Sequence, residues 1–86
     1  MLMRVSSSSG AIDANAKELI NFALAVASRC APCVRAHYTK ATNMGITPEQ
    51  LDEAAWCAVT MGGAPVKMFY QEVLAELAGG SGGCCS

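Results

Sequence analysis

The sequence predicts an all-α fold of about four helices, and three observations carry that prediction. Apolar side chains recur at helical spacing, and nothing alternates with period two over any length. Helix start and stop residues punctuate the chain, most clearly in "GITPEQ" and "MGGAP". The hydrophobic share, 52 % of 86 residues, exceeds what one small domain readily hides, so the helices are expected to pack between subunits as well as within one.

Taken in order, "MLMRVSSSSG" opens the chain with one Arg and no apolar run of the length a secretory signal requires, and residues 1–12 are expected to form a disordered arm. The first helix starts near Asp13, an N-cap residue type, and runs to about Ser28. Ala16, Leu19, Ile20, Ala23, Leu24 and Ala27 follow helical spacing, while Phe22 and Val26 lie on another face, which predicts burial nearly all round. A second helix begins close to Cys30 and tolerates Pro32 in its first turn, where an amide hydrogen has no partner to lose. It ends at Met44, before Gly45.

The third helix has the strongest start signal. Thr47 as N-cap, Pro48 at the first position and Gln50 at the third make a capping box. Leu51, Ala54, Ala55, Ala58 and Val59 share one side, and Asp52 and Glu53 sit near the positive end of the helix dipole. A fourth helix opens at Pro65 with Val66, Phe69, Tyr70, Val73, Leu74 and Leu77 as its apolar stripe. Residues 13–78 are thus expected to form the helical domain, and residues 79–86 a Gly/Ser tether that carries Cys84 and Cys85. Trp56, Phe69 and Tyr70 are assigned to the core or a subunit interface, and Cys57 to the core as a small hydrophobe.

Charge and hydropathy exclude several classes of partner. A formal net charge of -1 gives no footing for nucleic acid or anionic lipid. The longest apolar run, Leu19 to Ala27, is interrupted by Asn21 and falls far short of the roughly 18 to 20 residues a membrane span needs. A soluble, cytoplasmic protein is expected, in which thiols stay reduced. The five cysteines, an odd set, then point to redox or metal chemistry more than to stapling the fold.

The chemistry gathers in "ELINFALAVASRCAPCVRAHYTKA". Cys30 and Cys33 are three apart, which on a helix puts both sulfurs on one face within disulfide reach. At a helix N-terminus they meet unpaired amide hydrogens and the positive dipole end, which favour thiolate. His37, one turn beyond Cys33, can accept a thiol proton and return one to a leaving group. Glu18, beside Leu19 and Phe22, would be costly unpaired, and pairing with His37 or a thiol removes most of that cost. Arg29 and Arg35 flank the motif, either beside a thiolate or solvated. A competing reading makes Cys30, Cys33 and His37 three zinc ligands, with a tail cysteine as the fourth, although no second CxxC or His pair follows at finger spacing.

Glu18, eleven intervening residues, "CAPC", three more and His37, followed by "TKATNMGITPEQLDEA", resembles the alkylhydroperoxidase D group of the carboxymuconolactone decarboxylase superfamily, from about Lys17 to Leu77. The resemblance implies an all-helical fold, homo-oligomers (often trimers or hexamers), and a thiol-dependent peroxidase that uses no metal or organic cofactor. It implies that Cys33 attacks the peroxide, that Cys30 resolves the product into a disulfide, and that Glu18 and His37 relay protons. The residues themselves leave the order open, since the sulfur nearer the helix end, on Cys30, feels the dipole more strongly.

An external dithiol is the expected reductant, and a peroxide or other small electrophile the expected substrate. The vicinal Cys84 and Cys85 look like the mobile C-terminal dithiols of mercuric reductases and some thioredoxin reductases. Their five-residue tether has a reach of about 12 Å, enough to visit a site on its own or a neighbouring chain. The alternative function is a binding module that captures or transfers a soft metal such as mercury or arsenic without turnover.

Overall fold

Each helix of the chain begins or ends where a side chain or a glycine settles the free backbone groups. A computed structural model describes residues 10–79, with four helices, α1 (Ala14–Ala27), α2 (Ala31–Asn43), α3 (Pro48–Gly62) and α4 (Ala64–Gly79), and no strand among the described residues. The Asp13 carboxylate accepts the Ala16 amide at 2.8 Å and starts α1. Thr47 Oγ1 accepts the Gln50 amide at 3.1 Å while Gln50 Oε1 accepts the Thr47 amide at 2.9 Å, so the capping box of α3 is complete. α4 opens at Ala64, one residue before the expected Pro65. Most of the expected arm lies outside the described residues, and so does nearly all of the tether, with Cys84 and Cys85.

α1 packs on all three other helices, most extensively on α3 and then α2. The core is Phe22, Ala25 and Val26 of α1, Val34 and Ala41 of α2, Ile46 of the following turn, Leu51, Ala55, Ala58 and Val59 of α3, and Val66, Tyr70 and Val73 of α4. Fully burying a side chain such as Phe22 or Leu51 contributes about 2 kcal/mol. The Phe22 ring meets Tyr38 at 6.2 Å and Tyr70 edge-on at 6.5 Å, which ties α1 to α2 and α4 through one aromatic group. Gly62 is needed at the end of α3, because a Cβ there would collide with Val66 at the start of α4.

Two expectations are corrected. α1 is two-faced, not buried all round: its inner stripe is Glu18, Phe22, Ala25 and Val26, at i, i+4, i+7 and i+8, while Ile20 and Leu24 are 46 % and 58 % exposed. The fully buried Phe22 and Val26 set the helix rotation, and Ile20 and Leu24 turn outward. Cys57 is exposed, not a core hydrophobe, because the inner stripe of α3 runs through Leu51, Ala55, Ala58 and Val59 and position 57 faces away from it. Trp56, expected in the core or at a subunit interface, lies outside the chain's own core at 39 % exposure, with the Lys67 ammonium 5.9 Å from its ring.

Candidate redox site

The turn between α1 and α2 is held by two backbone hydrogen bonds, Arg29 N–H to the Val26 carbonyl at 3.0 Å and Cys30 N–H to the Ala25 carbonyl at 3.2 Å. That pairing is a Schellman motif, and it needs its middle residue in the left-handed region, where Arg29 stands with φ 56°. Cys30 follows with extended backbone and acts as the N-cap of α2, its Sγ accepting the Cys33 amide at 3.3 Å. Turn and cap together place the first cysteine at the positive end of α2 and the second within its first turn, after Pro32. The two are joined by a disulfide, with Cα atoms 5.2 Å apart. Cys33 is exposed and Cys30 is half-buried, so the pair stands at the surface.

Behind it lies an ionisable pair that reaches into the core. Glu18 occupies the first position of the α1 inner stripe and is only 1 % exposed. Its Oε2 is 2.6 Å from His37 Nδ1, and its Oε1 is 3.5 Å from Lys40 Nζ. Oε1 makes no hydrogen bond, so the ammonium is an ion-pair contact only. With the carboxylate ionised it can only accept, so Nδ1–H donates, and in the neutral form of the ring the other nitrogen, Nε2, is the acceptor. His37 and Cys33 are one turn apart on α2 and therefore share a face. The structure thus pairs Glu18 with His37 and Cys30 with Cys33, and the helix brings the two pairs onto neighbouring ground.

A second carboxylate pair stands elsewhere. The Tyr70 hydroxyl donates to Asp52 Oδ1 at 2.7 Å, linking α4 to α3. Burial, and then the hydrogen bond and charge of Asp52, push the Tyr70 hydroxyl well above the ordinary tyrosine range. A cavity of about 250 Å³ opens beside this pair, lined by Tyr38, Pro48, Glu49, Asp52, Tyr70 and Leu74, and the two sulfurs do not line it.

Arg35 is half-exposed and pairs with Glu76 of α4 at 3.1 Å. Among the described residues no three His, Cys, Asp or Glu side chains are gathered in a way that could hold a metal ion. Lys40 escaped the sequence reading. Its spacing, three residues after His37, puts it on the same face and was the available signal.

Fold and motif together define a helical protein with a redox-capable dithiol at the start of a helix. The chain belongs to the carboxymuconolactone decarboxylase family, whose sequence profile matches residues 1–76. It is 38 % identical over 74 residues to an uncharacterised protein of Cupriavidus necator, covering 86 % of this chain and 66 % of that one. It is 34 % identical over 76 residues to "Uncharacterized protein 4 in cox locus" of Paracoccus denitrificans, covering 88 % and 68 %. The chain thus spans about two thirds of the length of these relatives. No solved structure matches. Among the described residues no helix is long and apolar enough to cross a membrane.

Proposed function

We propose that this chain is a thiol-dependent oxidoreductase of the alkylhydroperoxidase D type, cycling the Cys30–Cys33 dithiol against an organic hydroperoxide. The reading rests above all on a buried carboxylate bonded at 2.6 Å to the imidazole one turn from Cys33. A carboxyl group fixed to Nδ1 is how a histidine is oriented to act as a base through Nε2.

In the reduced protein Nε2 takes the Cys33 proton. The thiolate attacks the outer peroxide oxygen, the O–O bond breaks, and His37 returns the proton to the departing alkoxide, giving an alcohol and Cys33 sulfenic acid. The Cys30 thiol then displaces water from that sulfur and forms the disulfide. An external dithiol reduces it and is itself oxidised, so two electrons pass from donor to peroxide in each turn. Glu18 holds the imidazole in place and balances the imidazolium charge.

We further propose a homo-oligomer, supported by the exposed Ile20 and Leu24 on α1 and by Met61 and Met68, which are 87 % and 63 % exposed. Leu24→Glu is then expected to lower the mass measured by light scattering.

The function is tested by mixing reduced protein with cumene hydroperoxide while counting free thiols. Rapid loss of two per chain, with the Cys30–Cys33 bond recovered by mass mapping and nothing rapid in Cys33→Ser, is the expected result. Slow, non-stoichiometric loss together with tight binding of mercury or arsenite would replace the enzyme with a soft-metal carrier.

A further inference from the structure

Glu18 Oε1 is a carboxylate oxygen in the core with no hydrogen bond, and such an atom is costly unless a charge stands near it. The nearby cation is Lys40, 3.5 Å away, from the same helix as His37. The other cation of α2, Arg35, is held by Glu76. Lys17, next to Glu18 on α1, lies roughly 100° around that helix. On α3, Asp52 is engaged by the Tyr70 hydroxyl. The two thiols are the remaining titratable groups on the His37 side of α2.

Proton counting shows what the ammonium does. When the Glu18–His37 pair carries one proton, that proton sits on Nδ1, the carboxylate accepts it, and Nε2 is bare. When the pair carries two, Nε2 is protonated, whether the pair is written as imidazolium with carboxylate or as imidazole with carboxylic acid. Only the one-proton pair can take a proton from a thiol. A positive charge beside Oε1 opposes the second proton, and removing it leaves a buried carboxylate that binds that proton more firmly.

We propose that Lys40 is a positioning residue of this site, keeping Glu18 a pure acceptor so that His37 holds its proton on Nδ1 and offers an unprotonated Nε2 on the face it shares with Cys33. The role of Nε2 as the base rests on the peroxidase reading, whereas the charge relation among Lys40, Glu18 and His37 does not.

His37 is the only histidine of the chain, so ¹⁵N-histidine labelling of the untagged protein reports it without assignment. Long-range ¹H–¹⁵N spectra at pH 7.5 are expected to show wild-type Nε2 unprotonated and Nδ1 protonated. In Lys40→Met the protonated share of Nε2 rises at least threefold, and Lys40→Arg restores the wild-type pattern. Alkylation of the reduced thiols slows at least threefold in Lys40→Met and recovers in Lys40→Arg. Lys40→Gln gives the same reading should the methionine variant fold poorly, which circular dichroism monitors.

An unchanged Nε2 signal in the folded methionine or glutamine variant would overturn the proposal. If that signal moves while wild-type protein fails to consume hydroperoxide, the charge relation stands and the peroxidase reading falls.

Discussion

The two turns that flank α2 are built on one plan and filled with different residues. Each is a Schellman motif: Arg29 and Cys30 bond back to Val26 and Ala25 after α1, and Gly45 and Ile46 bond back to Thr42 and Ala41 after α2. Each leads at once into an N-cap, Cys30 for α2 and Thr47 for α3, with a proline in the first turn. Near each a carboxylate meets a ring: Glu18 with His37 at 2.6 Å, Asp52 with Tyr70 at 2.7 Å.

At the second turn every position holds a residue suited to stability. Glycine takes the left-handed place at φ 87°, threonine caps, and a tyrosine whose hydroxyl is pushed out of the neutral range donates to the acid. At the first turn arginine takes the left-handed place, cysteine caps, and the acid binds the His37 imidazole. The same backbone plan therefore carries a glycine and threonine turn at one end of α2 and a disulfide beside a carboxylate–imidazole pair at the other.

The difference is broken most severely at the reactive end. Glu18→Gln leaves the size of the side chain but removes its charge, and thiol oxidation by hydroperoxide is expected to slow by about 10²-fold, the low end of what general-base assistance contributes, because the base loses the carboxylate that orients it and balances its charge. Stopped-flow thiol loss checks this, and Tyr70→Phe measured alongside should match wild type.

Stability reverses the ranking. Tyr70→Phe strips a partner from half-buried Asp52 and should cost about 1 to 2 kcal/mol in urea unfolding. Because the Tyr70 hydroxyl titrates higher in the folded chain than in the unfolded one, its contribution is whole below the ordinary value of 10.0 and is lost as pH rises above it. Wild-type protein should thus lose stability above about pH 10 more steeply than Tyr70→Phe. Thr47→Ala removes the capping box and should cost about 1 kcal/mol.

The smallest change runs in the opposite direction. Arg29→Gly relieves a non-glycine residue in the left-handed region and should raise unfolding free energy by about 0.5 to 1 kcal/mol. Its peroxide reaction should stay near wild type, since Arg29 is exposed and held by its backbone.

Much of this plan could be read from residue types. Helix boundaries set by Asp13, Pro32, Gly45 and Thr47 fall within a residue or two of where the structure has them, because caps act through local backbone groups. The rotation of α1 was not legible, since Ile20 and Leu24 look as buriable as Phe22 until the other helices are in place. The exposure of Cys57 and Trp56 follows from the same kind of long-range choice on α3. At the site, Cys30, Cys33 and His37 were visible from spacing within one helix. Glu18 drew notice as a charge among apolar neighbours, and its choice of His37 over a thiol is tertiary. Lys40 is by position a basic residue of a last turn, and only its 3.5 Å approach to a buried oxygen gives it meaning.

The central claim is that Glu18 acts on the dithiol through His37, and a double-mutant cycle on the rate of thiol oxidation tests it most directly. Glu18→Gln, His37→Ala and the double variant should all be slow, with the double variant no slower than His37→Ala alone, because one pathway has been cut twice. Rate losses that multiply, or a Glu18→Gln variant as fast as wild type, would contradict the account.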